Sequence, residues 1–160
     1  MSVAVRAAPL LAGMAALALA AVATALVSQH VFEMMPCPWC ALQRLVFMTI
    51  AAASLLGLLW TSPPGRRVGA ALAGALALCG MAAALWQHFV AAASASCNQT
   101  LADRILGFTG LDRLWPEVFA AYASCGESRA ALLGVPYEGY SLVLFVLLGA
   151  GAWQVLKRSR

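Results

Sequence analysis

Four long apolar stretches dominate the sequence, and none contains an aspartate, a glutamate or a lysine. They run over about residues 7–27, 41–60, 68–93 and 140–156. A helix crossing about 30 Å of hydrocarbon needs roughly 20 apolar residues at 1.5 Å rise each. The expected fold class is therefore an all-α membrane protein: a four-helix transmembrane bundle forming one integral membrane domain over residues 1–160. Composition agrees. Hydrophobic residues make up 63% of the chain and charged residues 10%, against roughly 45–50% and about 25% in soluble domains. A soluble globular domain and a disordered chain are excluded. The net charge is +4, but the basic residues form no stripe, so no nucleic-acid partner is expected.

The first stretch has a rival interpretation. Arg6, the Ala-rich run and Ala23-Thr24-Ala25 also suit a cleaved signal peptide. The run is long for a signal and right for a span, so its retention is expected.

The loops sort by charge. Arg6, Arg66, Arg67, Lys157, Arg158 and Arg160 lie at the two ends and in the short loop after the second span, with no acid beside them. All six acids (Glu33, Asp103, Asp112, Glu117, Glu127 and Glu138) lie in the loops over about residues 28–40 and 94–139. The positive-inside rule then puts both termini and the Pro63-Pro64-Gly65 loop in the cytoplasm. The two acidic loops face out. Trp60, Trp86 and Trp153 fall near span ends, where aromatic belts sit. Small residues spaced by four, as in Gly69-x-x-x-Ala73 and Ala70-x-x-x-Gly74, suit close helix packing.

Four of the five cysteines lie in the outward loops. Cys37 and Cys40 form a C-x-x-C in the first; Cys97 and Cys125 lie in the second. Cys79 falls mid-span and is expected to act as a small hydrophobe. The outer face of a bacterial or secretory membrane is oxidising, so disulfides can form there. Pro38 suits the first position of a helix, which would make Cys37 the N-cap of the second span. Unpaired N–H groups and the positive end of the helix dipole then face both sulfurs. Arg44 follows Cys40 by one turn, on the same face. Both features favour a thiolate at Cys40. An Arg at that depth is costly unless it serves a partner.

Other chemistries are open to these residues. A C-x-x-C can be a structural disulfide beside a snorkelling Arg. A four-thiolate metal site is disfavoured, because 27 residues separate Cys97 from Cys125 and no His lies beside them. A structural bridge between those two would stabilise by roughly 3.5 kcal/mol on the chain-entropy model. Two thiol pairs on one face can instead exchange through a mixed disulfide. Leu111, Leu114, Trp115, Val118, Phe119 and Tyr122 have helical spacing. They predict either a short amphipathic interfacial helix in the second loop, starting near Trp115 because Pro116 must lie in its first turn, or a folded loop covering the bundle end.

With these residues assembled, the chain resembles the DsbB family of bacterial disulfide bond formation proteins. The strings that carry the resemblance are Gln29-His30-Val31, Pro36-Cys37-Pro38-Trp39-Cys40 with Arg44, and Gln87-His88. Cys97, Trp115-Pro116-Glu117-Val118-Phe119, Cys125-Gly126-Glu127 and Val135-Pro136-Tyr137 follow in order. The resemblance implies an inner-membrane enzyme, a quinone-dependent protein-disulfide oxidoreductase. Such an enzyme reoxidises a periplasmic DsbA-like thioredoxin-fold oxidase and passes the electrons to a membrane quinone, ubiquinone or menaquinone. By that resemblance Cys97 forms the mixed disulfide with the partner, and Cys125 is its disulfide mate. Electrons reach Cys37 and Cys40 through a Cys37–Cys125 or a Cys37–Cys97 link. Cys40 then faces the quinone, Arg44 stabilises its developing negative charge, and His88 lies near it. His30 is expected to be structural or a weak contact. DsbA is a strong oxidant, near about −120 mV, and the DsbA–DsbB–quinone route keeps the periplasm oxidising. Two alternatives stand beside this: a relative that serves a dedicated partner, and a structural membrane protein whose disulfides brace its loops.

Overall fold

The computed structural model describes residues 3–91, 100–124, 131–132 and 135–158. Four long helices form the body: α1 (Val3–Val31), α2 (Pro38–Leu59), α3 (Pro63–Phe89) and α7 (Tyr137–Arg158). All four are long and apolar enough to cross a membrane, and the chain is a multi-pass membrane protein. Three short helices, α4 (Leu101–Thr109), α5 (Leu111–Leu114) and α6 (Pro116–Phe119), cover one end of the bundle. A two-residue antiparallel ladder pairs β1 (Ala131–Leu132) with β2 (Val135–Pro136), just before α7.

The helices neighbour one another in the cyclic order α1, α2, α3, α7. The core runs along the axis through Met14, Ala18, Val22, Phe47, Ile50, Phe145 and Leu148. Phe47 and Phe145 stack across it, with ring centroids 4.1 Å apart and planes 6° from parallel. Ala7, Leu11, Ala70 and Val155 close one end. That end carries Arg66, Arg67, Lys157 and Arg158 by position in the sequence. Cys37, Trp39, Leu42, Ala83 and Ala102 close the other. Trp60, Trp86 and Trp153 are exposed near helix ends, as the belt pattern predicts.

The small residues of α3 make the tightest seams. A Cβ built on Gly69 would lie 2.6 Å from the Gly57 Cα and 2.8 Å from the Ala53 carbonyl oxygen. One built on Gly80 would strike the Phe145 ring. Lipid tails supply no hydrophobic drive between helices, so close van der Waals packing carries their association.

Helix ends depart from the sequence expectation in instructive ways. The third span was expected from about residue 68, yet α3 starts at Pro63. Ser62 caps it by accepting from Gly65 N–H, and Pro63 takes the first helical position. Proline there reads as a helix start as readily as a loop. Residues 92–93, the expected end of that span, lie outside the described residues. In the second loop the expected helix from near Trp115 is a single turn, Pro116–Phe119. The residue before a proline is pushed out of the helical region, and Trp115 sits at φ −137°, ψ 67°. Phe119 is buried while Leu114, Trp115 and Tyr122 are exposed, so the six apolar residues share no single face. The longest helix of that loop lies upstream, over Leu101–Thr109. Thr100 and Asp103 close a capping box at its start, and Gly110 ends it at φ 68°. That Thr-x-x-Asp…Gly signature was present in the sequence. It buries Ala102 and Leu106 and leaves Phe108 exposed.

The glycine seams yield paired expectations. Gly69→Ala should destabilise by about 1–3 kcal/mol through overpacking. Gly13, with nothing within 4 Å of an added Cβ, should gain up to about 1 kcal/mol on Gly13→Ala from helix propensity. Thermal unfolding of both variants in detergent checks the opposite signs.

Candidate active site

The site grows from a helix start. Cys37 is the N-cap of α2, with extended backbone at φ −85° and ψ 168°. Its sulfur accepts from the Cys40 N–H at 3.2 Å. Pro38 at the first position has no N–H to leave unsatisfied. The same turn faces the two sulfurs toward each other, Sγ to Sγ 2.7 Å. A disulfide of about 2.05 Å needs only a small local shift. Cys37 is fully buried, whereas Cys40 is half-buried and lines a cavity. Trp39, between them, packs its ring 6.4 Å from that of Trp86.

The cavity measures about 590 Å³. It lies between α1, α2 and α7, beneath the chain from Met34 to Pro36. Leu17, Ala21, Phe47 and Leu144 make it apolar along its length. Cys40, Arg44, Gln87 and Tyr137 give it a polar head. Small-molecule sites are commonly of this size, apolar with a few placed polar groups.

Arg44 is 5% exposed, and its bonds do not run to the sulfurs. Nη1 donates to Gln29 Oε1 at 2.6 Å and to the Val118 carbonyl at 3.1 Å. Nη2 donates to the Ala25 carbonyl at 3.3 Å. Gln29 in turn donates to the Glu117 carbonyl at 3.2 Å. One guanidinium thus joins α1, α2 and the α6 turn. The side chain that does donate to the Cys40 sulfur is Gln87, through Nε2 at 3.3 Å. Gln43 Nε2 donates to Gln87 Oε1 at 2.7 Å.

Cys40 and Arg44 therefore share one cavity. His88 stands apart from it. Its Nδ1 meets Glu138 Oε1 at 3.0 Å, with the His side chain 48% exposed and Glu138 13%. Glu138 lines the cavity and His88 does not. His30 is exposed near the end of α1, and Cys79 is exposed on α3. Cys97 and Cys125 lie outside the described residues. The chain just before Cys125 is described, and it is tethered to the first loop. Tyr122 N–H and Ala123 N–H both donate to the Pro36 carbonyl, at 3.0 and 3.3 Å. Pro36 directly precedes Cys37.

Sequence reasoning gave no role to Gln29, Gln43, Gln87 or Tyr137. The three glutamines are 6%, 3% and 5% exposed. A buried polar side chain near the end of an apolar span is itself a signal, because it must find a partner there.

The family model for disulfide bond formation protein DsbB matches residues 6–155. The chain belongs to the DsbB family. Its relatives include the "Disulfide bond formation protein B" of Herminiimonas arsenicoxydans, 32% identical over 141 residues, covering 88% of this chain and 89% of the relative. That of Dechloromonas aromatica (strain RCB) is 32% identical over 150 residues, covering 90% and 86%. That of Stutzerimonas stutzeri (strain A1501) is 30% identical over 145 residues, covering 86% and 87%. Membership in the DsbB family makes the chain a disulfide oxidoreductase of disulfide bond formation.

Gln29→Leu removes one acceptor from a buried guanidinium and one donor from the α6 turn. Hydrogen bonds to charged groups are worth about 1.5–3 kcal/mol, and the variant should lose about that much stability on thermal unfolding in detergent.

Proposed function

We propose that the protein oxidises a reduced DsbA-like thioredoxin-fold oxidase and passes the two electrons to a membrane quinone. It does so from the periplasmic face of a bacterial inner membrane. The observation that carries this is the Cys40 sulfur, half of a C-x-x-C pair, lining an apolar cavity at the end of a membrane span. The charge asymmetry of the loops supports the orientation, with the acidic, cysteine-bearing end outward.

The cavity residues fit a quinone. The apolar walls suit an isoprenoid-bearing ring, and the polar head suits its carbonyl oxygens. Cys40, Arg44 and Tyr137 would hold the ring end; Leu17, Phe47 and Leu144 would line the rest. Ubiquinone or menaquinone would supply a lipid-soluble acceptor for two electrons and two protons.

The chain's own steps are exchanges. A partner thiolate attacks the Cys97 sulfur of a Cys97–Cys125 disulfide, and Cys125 leaves as thiolate. Cys125 attacks Cys37, the Cys37–Cys40 bond breaks, and its electron pair goes to the Cys40 sulfur. The partner's second thiol then attacks the mixed disulfide, releasing oxidised partner and the Cys97 thiolate. Cys97 attacks Cys125, restoring their disulfide and returning Cys37 as a thiol. The net result is one disulfide made in the partner and one reduced beside the cavity. The bonds from Tyr122 and Ala123 to Pro36 favour Cys125 over Cys97 as the link to Cys37. Cys125 follows Ala123 by two residues, a reach of about 7 Å. Arg44, already held on α1 and α6, keeps a positive charge at the cavity head without further reorganisation.

Quinone reduction by the purified protein with a reduced thioredoxin-fold oxidase tests this. Cys40→Ser should abolish turnover; normal turnover in that variant would sink the proposal. Cys97→Ala should prevent the mixed disulfide with the partner, and trapping through Cys125 alone would reverse the two roles. Arg44→His should raise the KM for quinone more than that for the partner protein.

A further inference from the structure

The Gln43–Gln87 pair at the cavity head has no part in the exchange steps above. Both amides are buried, at 3% and 5% exposed, and an unsatisfied amide is costly in such a place. A primary amide has one accepting carbonyl and one donating NH₂. Gln43 spends its NH₂ on the Gln87 carbonyl, at 2.7 Å. That bond decides which way the second amide faces. With its oxygen toward Gln43, Gln87 turns its own NH₂ to the Cys40 sulfur at 3.3 Å. Reversing Gln87 alone would oppose two NH₂ groups, and reversing both amides would leave the Gln87 carbonyl, not a donor, against the sulfur. The chain of donors therefore runs one way, from α2 to α3 and back to Cys40 on α2.

Direction gives the pair its chemistry. A thiolate accepts hydrogen bonds, and a donor aimed at it stabilises the anion. Arg44 does not supply that donor, since its bonds run to Gln29, Val118 and Ala25. We propose that Gln87 is a catalytic residue, donating to Cys40 Sγ, and that Gln43 is the positioning residue that fixes the orientation of its amide. This rests on the assignment of Cys40 as the reactive thiol at the cavity. When the Cys37–Cys40 bond breaks, the electron pair goes to Cys40 Sγ, and the Gln87 N–H meets the charge that forms there. A better-stabilised thiolate is a faster leaving group.

The test uses the full chain in detergent, in a Cys37→Ser background that keeps Cys40 reduced. The readout is the rate of Cys40 alkylation by iodoacetamide, resolved by mass spectrometry across a pH series. Methionine matches glutamine in shape and removes the donor, so Gln87→Met and Gln43→Met preserve packing. Loss of a hydrogen bond to a charged group should cut the thiolate fraction about tenfold. The remaining thiolate is intrinsically more nucleophilic, so the rate at neutral pH should fall about threefold. The whole pH–rate profile should move to higher pH, which a packing defect alone would not produce. Gln43→Met should slow alkylation less, by about twofold, and add nothing in the Gln87→Met background. An unchanged rate and profile in Gln87→Met overturns the catalytic role. A full Gln43→Met effect persisting in the Gln87→Met background overturns the positioning role. Failure of the unsubstituted protein to reduce quinone would overturn the proposed function instead, and is read in a separate assay.

Discussion

A guanidinium buried at the head of an apolar bundle is the constraint around which this end of the molecule is arranged. Unpaired, such a charge would cost several kcal/mol. Arg44 escapes that cost through a carbonyl near the end of α1, a glutamine one turn on, and a carbonyl of α6. The groups that satisfy it are also groups that place the loops. Gln29 accepts from Arg44 and donates to the Glu117 carbonyl. The α6 turn is thereby held against α1 and α2, while Phe119 packs on Ala41 and Leu106 beneath it. One positive charge thus fixes both a wall of the cavity and the path of the second loop.

The Cys37–Cys40 pair depends on the same economy of backbone groups. Cys37 caps the helix with its sulfur, so a thiol takes the position more often held by Ser, Asp or Asn. The cap brings the two sulfurs together; the neighbouring helix then brings the glutamine. Polar side chains in the bundle head are few, and they contact one another in short runs: Gln43 to Gln87 to Cys40, and Arg44 to Gln29 to the loop backbone. The result is a compact polar patch set into apolar walls.

Much of this was legible in the sequence. Apolar length gave the four helices, because a bilayer admits few alternatives. The C-x-x-C with proline inside it gave the N-cap and the meeting of Cys37 with Cys40. The direction of the Arg44 side chain was not legible. Spacing put it one turn from Cys40, which is correct for the backbone, but a long side chain goes where its hydrogen bonds are. The acceptors here lie 15 and 74 residues away in sequence. The same holds for Gln87 and Cys40, 47 residues apart. His88 and Gln87 are adjacent in the chain, and helix geometry sends them to different faces; only Gln87 lines the cavity. The short helices failed differently. Local signals at Thr100, Asp103 and Gly110 were present, but the apolar pattern around Trp115 outweighed them, and Pro116 then broke the pattern into single turns.

The glycine and alanine seams also set how closely the helices approach one another. Where Gly57 meets Gly69 the backbones of α2 and α3 come so close that a Cβ on either would crowd the other. Gly80 under the Phe145 ring locks α3 to α7 in the same way. Three helices are thereby keyed together like a jointed plate, with Cys40 and Gln87 on its fixed part. The first helix meets α7 less tightly, with a Cβ added at Gly151 lying 3.1 Å from the Met14 Cγ. The cavity lies beside that seam, lined by residues of both helices. Side-chain size thus sets how closely the helices approach, and the cavity is what remains between α1, α2 and α7.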